Sequence, residues 1–192
     1  MGVGRRLGNL LGSAGVLAAV ASIAFGLPAV DRAIPAGRPV PAGEPYEIGG
    51  GVTLVPPAGA LLDVTKSRPG PDRGTALFLI GAVRCAVVAA PFTGTLEEAA
   101  ARLRDKITAT RGYQVTGREA DVRTQSGLVG RQGGYTAPGR GGRYAVYLAG
   151  PVVVEVTISG TDLELRDVLR TIEESITTIA RTGTPSPARA GP

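Results

Sequence analysis

The chain contains no histidine and a single cysteine, and those two facts remove most familiar catalytic devices. Without an imidazole there is no Ser-His-Asp or Cys-His arrangement and no histidine-ligated zinc. Nor is there a side chain whose ordinary titration lies near neutral pH. Cys85 sits in the apolar run Ala82–Ala90. That context predicts a buried thiol acting as a small hydrophobe rather than a nucleophile, because only Arg84 stands near enough to favour a thiolate. Paired carboxylates occur at Glu97-Glu98 and Glu173-Glu174. Both pairs fall on exposed helix surface, with no apolar pocket to push one acid's pKa away from the other's. The four tyrosines Tyr113, Tyr135, Tyr144 and Tyr147 are expected to pack on a sheet. The residues therefore call for no catalytic set, no metal and no cofactor, and an enzyme of undefined reaction remains only as a second alternative.

Cations offer the other chemistry. Arg131, Arg140 and Arg143 lie in the glycine-rich stretch Gly130–Gly142. A phosphate cradle needs a strand–loop–helix setting, whereas these glycines fall between strands, so the stretch is expected to be a hairpin loop. Its three arginines are candidate contacts for an anion or a lipid headgroup. Lys66, Arg68 and Arg73, among Pro69, Gly70 and Pro71, are expected to form a solvated turn, with Asp72 cancelling part of the charge. The net charge is +5 and the isoelectric point about 9.9. Between Tyr46 and Ala180, however, 15 basic residues face 14 acidic ones. A nucleic-acid binder carries its basic excess on the folded domain, so nucleic acid is not an expected partner.

These side chains must be held by something, and the chain divides readily. Residues 1–6 contain Arg5 and Arg6. Residues 7–30 contain no charged side chain, and as a helix these 24 positions would extend about 36 Å, enough to cross a bilayer. The positive-inside rule keeps Arg5 and Arg6 cytoplasmic and sends the remainder across. A transmembrane signal anchor is expected, with membrane lipid as its partner. Cleavage after Ala19-Val20-Ala21, giving a secreted protein, is the alternative. Residues 31–45, with Pro35, Pro39, Pro41 and Pro45, are expected to be a semi-extended linker. Residues 46–181 form the extracytoplasmic domain, and 182–192 a Pro-, Ala- and Gly-rich tail without fixed structure.

Within the domain, two helices announce themselves. Thr95 and Glu98 have capping-box spacing, followed by Leu96, Ala99, Ala100, Leu103 and Ile107 on one stripe and by Arg111-Gly112 at the exit. Thr161 and Glu164 repeat the device ahead of Leu165, Val168, Leu169, Ile172, Ile176 and Ile179, with Arg181 and Gly183 closing. The remainder is expected to form strands. Val152–Ser159 alternates, with Val152, Val154, Val156 and Ile158 facing one way and Glu155 and Thr157 the other. Several strands, a helix, several strands and a helix make an α+β domain. Its mainly antiparallel sheet is packed by two amphipathic helices.

This order of elements, with the entry Val-Thr-Leu-Val-Pro-Pro at 52–57, resembles the PsbP-like α+β fold and is similar in layout to the LpqN-type envelope lipoproteins of actinobacteria. The resemblance covers about residues 46–180. It implies a non-catalytic accessory or protein-interaction domain of the cell envelope with an envelope protein as partner, and it transfers no functional residue. A module binding a lipid or small apolar ligand between sheet and helices is the alternative.

Overall fold

A computed structural model describes residues 37–182. The expected membrane segment at 7–30, its flanks at 1–6 and 31–36, and residues 183–192 lie outside the described residues. Among the described residues no helix is long and apolar enough to cross a membrane.

The architecture is α+β. Eleven strands run in chain order: β1 (Gly37–Pro39), β2 (Tyr46–Gly49), β3 (Val52–Leu54), β4 (Leu61–Asp63), β5 (Gly74–Ile80) and β6 (Val83–Pro91), then β7 (Gln114–Arg123), β8 (Val129–Ala137), β9 (Arg140–Ala149), β10 (Val152–Gly160) and β11 (Ala180–Arg181). Helix α1 (Leu96–Thr108) follows β6, and α2 (Asp162–Thr177) follows β10. Eight strands form an antiparallel sheet in the order β1-β4-β5-β6-β10-β9-β8-β7, and three form a small sheet, β11-β3-β2.

Both helices start where their capping boxes place them. Thr95 accepts the Glu98 amide while the Glu98 carboxylate accepts the Thr95 amide, and Thr161 with Glu164 does the same. Each box satisfies two amide hydrogens that no helical carbonyl can reach. The apolar stripe of α1 buries Ala99, Ala100, Leu103 and Ile107 against Tyr135, Tyr144, Val146 and Val153. On the opposite face of the sheet, Ile172 and Ile176 of α2, with Ile179 just beyond it, pack on Phe78, Val87, Val154, Val156 and Ile158. Ile48, Val52 and Leu54 of the small sheet complete that second core.

Three expectations change. First, the linker expected at 31–45 is partly folded: Gly37–Pro39 pairs with β4 as the outermost strand, and Val40 donates to the Ala60 carbonyl. Proline tolerates this position because an edge strand leaves one side of its backbone unpaired. Second, α2 ends at Thr177 rather than near Arg181, and Ala180–Arg181 pairs with β3 instead. Ser175 Oγ donates to the Val55 carbonyl and Thr178 Oγ1 accepts the Val55 amide, so the helix end takes over the backbone of the chain leaving β3. Third, β10 alternates as expected, with Glu155 on the face opposite Val154 and Val156, but neither face is open to water there. β10 is the fifth of eight strands with cover on both faces, so Glu155 is only 8% exposed and meets Lys106 of α1 at 2.7 Å.

Candidate functional site

The glycine-rich stretch is not a loop. Gly130, Gly133, Gly134, Gly141 and Gly142 lie within β8 and β9, which are joined by Pro138-Gly139 alone. Proline fixes φ at the first turn position and Gly139 takes φ +72° at the second, the combination that a type II turn requires. The strand glycines make room for tyrosine rings lying across the sheet. A Cβ on Gly133 would stand 2.5 Å from the Tyr144 hydroxyl and one on Gly130 would strike the Tyr147 ring, whereas one on Gly142 would first strike the Ile158 backbone carbonyl. Tyr135 crosses to donate to the Ile158 carbonyl at 2.9 Å.

Opposite Gly133, β7 bulges between Thr116 and Ala120 and turns Glu119 toward α1. There Glu119 accepts from Tyr144 Oη at 2.8 Å and from Arg104 at 2.7 Å. Burial tends to raise the Glu119 pKa, but the hydrogen bonds from Arg104 and Tyr144 outweigh it and hold the carboxyl below its ordinary value. Burial, together with the bond to Glu119, pushes the Tyr144 phenol up to about 12. Glu, Arg and Tyr thus converge, as in many active sites. Here each group is consumed by another: Arg131 pairs with Glu97 and approaches Glu119 at 3.7 Å and Asp121 at 3.4 Å. The network fastens β7 to α1 and β9.

That network also decides the fate of the arginines expected to bind an anion, because the structure does not bring the three together. Arg131 stands among the carboxylates of Glu97, Glu119 and Asp121, which repel a further anion. Arg143 projects from the other face of the sheet and pairs with Glu173 of α2 at 2.5 Å. Arg140 lies at the hairpin end beside a depression of ≈ 510 Å³ bordered by Thr161, Asp162 and Leu163. The carboxylate pairs are likewise used: Glu98 caps α1, Glu97 and Glu173 meet arginines, and Glu174 meets Arg170 at 2.9 Å. Cys85 is buried, and desolvation pushes its thiol up to about 12, so it is no nucleophile at neutral pH.

The surface left unsatisfied lies elsewhere. Helix α1 packs chiefly over β7, β8 and β9, and among the described residues the main helix contacts on that face do not extend to β4 and β5. Cross-strand partners share a face. Register therefore places Leu61, Leu79 and Arg84 together, with Leu77 beside Ala86 and Thr75 beside Val88. Arg68 pairs with Thr75 and joins this face. Leu61 is 39% exposed and Val64, just past β4, 45%. At one end a depression of ≈ 330 Å³ has Thr75, Val88 and Ala90 in its lining and Arg68 and Arg73 beside them. Arg68 and Arg73 are exposed, as expected of a solvated turn, and the isolated pairing of Arg68 with Thr75 places Arg68 beside this face. A second depression, ≈ 550 Å³, lies between Gly50, Gly51, Asp72, Arg73 and Arg181 and is mainly polar in its lining.

No family model matches the chain, and no curated protein matches its sequence. Solved structures do. The solution structure of cyanobacterial PsbP (CyanoP) from Synechocystis superposes with a TM-score of 0.52 at 14% identity, covering 72% of this chain and 92% of that one. The crystal structure of LpqN, involved in cell envelope biogenesis of Mycobacterium tuberculosis, superposes with a TM-score of 0.51 at 12% identity, covering 73% and 91%. At such identities what is shared is architecture, and the chain has a PsbP-like α+β fold resembling that of LpqN.

Proposed function

We propose that the protein is a membrane-anchored, extracytoplasmic accessory domain of the cell envelope that works by association rather than by catalysis. The observation that carries this is the distribution of its polar groups. The cluster of acid, arginine and phenol between α1, β7 and β9 is closed upon itself, while the β4–β5 part of the same face carries apolar side chains and cations with no helix packed over it among the described residues. The uncharged run at 7–30 supports the anchor, and the likeness to LpqN, a protein of envelope biogenesis, supports the location.

The alternative, a lipid or small apolar ligand held between sheet and helices, has less support. Ile172 and Ile179 are fully buried against Phe78 and Val154, which fills the layer beneath α2. The three depressions described above border loops and strand ends instead of lying under a helix.

The test is cross-linking in intact cells followed by purification of the full chain from membranes. A discrete envelope component recovered with the wild type, and lost when the β4–β6 half-face is made acidic, supports the proposal. Turnover of a small substrate by the purified protein contradicts it.

A further inference from the structure

We infer that the depression of ≈ 550 Å³ between the β2–β3 turn, the β4–β5 connection and β11 binds a small polar molecule through its oxyanion, a phosphate or a carboxylate held by Arg73 and Arg181. The inference goes beyond the association proposed above and does not depend on the membrane segment.

The walls come from five separate stretches of chain, and hydrogen bonds tie neighbouring stretches together. The Gly50 amide donates to the Gly70 and Pro71 carbonyls at 3.3 and 3.1 Å, which fastens the β2–β3 turn to the β4–β5 connection. The amide and hydroxyl of Thr182 both donate to the Gly51 carbonyl, at 2.8 and 3.0 Å, which fastens the same turn to the chain leaving β11. The Phe92 amide donates to the Pro151 carbonyl at 2.9 Å and joins the exit of β6 to the β9–β10 turn. Backbone also lies directly on backbone. A Cβ on Gly74 would stand 1.7 Å from the Ile48 carbonyl oxygen, and one on Gly49 2.7 Å from that of Gly70. Walls set in this way need little ordering when a ligand arrives, which lowers the cost of binding.

Half of the lining residues are glycine or proline, so few side chains reach the opening. The two long ones are Arg73 and Arg181, and Asp72 is the only acid in the lining. Arginines without a carboxylate partner occur elsewhere on the domain, so charge alone singles out nothing. What sets this place apart is that two guanidinium groups from distant positions border one depression and that one of them is seated. Among the described residues, Arg123 and Arg181 are the arginines outside ion pairs that donate to a backbone carbonyl, and of these two Arg181 borders the depression. Its Nε donates to the Gly50 carbonyl at 3.3 Å. A Cβ at position 150 would stand 3.0 Å from its Nη1, so glycine there leaves the guanidinium its place. With Nε engaged, the terminal N–H groups remain for the paired oxygens of a carboxylate or phosphate.

The volume falls in the range of about 300–1,000 Å³ usual for small-molecule sites, which suits an oxyanion carried on a body of sugar size. Asp72 disfavours a bare multiply charged ion and suits a ligand that also presents hydroxyl donors. Both arginines are exposed, so the expected Kd is on the order of 1 mM.

The experiment titrates the nitrogen-15-labelled full chain in detergent micelles with glucose 6-phosphate, with glucuronate and, as the uncharged comparison, with glucose, all at constant ionic strength. Amide signals of Gly50, Gly51, Arg73 and Thr182 are followed, with Gly139 and Arg140 of the β8–β9 hairpin as the reference. Saturable shifts at the first group with the phosphate or the carboxylate, and none with glucose, are expected; the anion that saturates first identifies the oxyanion. Arg73→Gln and Arg181→Gln should each weaken binding about tenfold, and Arg140→Gln should leave it unchanged. Arg181→Lys keeps the charge but loses the Nε bond and the fork, and should weaken binding several-fold. If Arg181→Gln unseats β11, Arg73→Gln, which lies outside the strands, still decides. Shifts of equal size at the hairpin and at the depression would show anions gathering on exposed arginines in general, and overturn the site. So would equal shifts with glucose, no saturable shift with either anion, or unchanged affinity in Arg73→Gln.

Discussion

Gly133→Ala is a small change with a large expected effect, because Gly133 sits where three features meet: the β7 bulge, the ring of Tyr144 and the carboxylate of Glu119. An added Cβ would stand 2.5 Å from Tyr144 Oη, 2.6 Å from Cζ and 2.8 Å from Cε1, where ordinary contact begins at 3.4 Å. The ring must therefore retreat by about 0.9 Å, yet it is 1% exposed and packed against α1. Overpacking of this kind costs about 1–3 kcal/mol. The retreat also breaks the bond from Tyr144 to the Glu119 carboxylate, a charged acceptor worth about 1.5–3 kcal/mol. Since the two costs are relieved by one movement, the total should be about 2–4 kcal/mol, or about 4–16 °C in Tm at about 2–4 °C per kcal/mol. Urea unfolding of the purified protein, followed by far-UV circular dichroism, measures it. The decisive comparison is the same substitution in a Tyr144→Phe background. There the hydrogen bond is already gone, so Gly133→Ala should cost about 1–2 kcal/mol less. A Gly133→Ala protein within about 0.5 kcal/mol of wild type, or an equal cost in the two backgrounds, would refute the idea that these glycines serve the tyrosines.

Other outcomes follow from the same geometry. Lys106→Met strands the Glu155 carboxylate at 8% exposure and should destabilise by about 1–3 kcal/mol, with Glu155→Gln restoring part of the loss; denaturation midpoints of the two variants and their double decide this. Glu119 and Asp63 both have carboxyl pKa values below their ordinary 4.5 and 3.8, Asp63 chiefly through the Thr65 hydroxyl. The folded state therefore binds fewer protons than the unfolded state in acid: their contribution is present above those ordinary values and is lost as pH falls through the folded ones. Glu119→Gln should flatten the acid limb of a stability-against-pH curve. Cys85, with its thiol pushed up to about 12 by burial, should react with a thiol reagent at pH 7.5 only as fast as the protein unfolds, so urea should accelerate labelling by orders of magnitude.

The helices are legible in the chain because their signals are local. Thr95 with Glu98, and Thr161 with Glu164, specify starts within four residues, and the stripes through Leu103 and Ile172 specify the buried sides. Their ends are less legible, because β3 captures the chain after α2 and no local rule anticipates Ala180 pairing with Thr53. β7 is hard to read as one strand, since a bulge at 117–119 breaks the alternation that marks a continuous strand. Glycine content points to a loop at 130–142, yet glycine also serves where an aromatic ring crosses a strand, and the tyrosines that require it, Tyr144 and Tyr147, lie in the neighbouring strand. Arg131, Arg140 and Arg143 are close in sequence, but strand alternation sends Arg131 and Arg143 to different faces and different carboxylates, and Arg140 stays at the hairpin end. Arg68 and Arg84 are distant in sequence and are brought onto one face by register.

The central claim is that the folded domain is displayed outside the cytoplasm on a retained membrane segment. External protease treatment of intact cells carrying the full chain, tagged before Met1 and after Pro192, tests it most directly. The expected result is loss of the C-terminal tag with the N-terminal tag protected and sedimenting with membranes. Protection of both tags until the cells are lysed would contradict it.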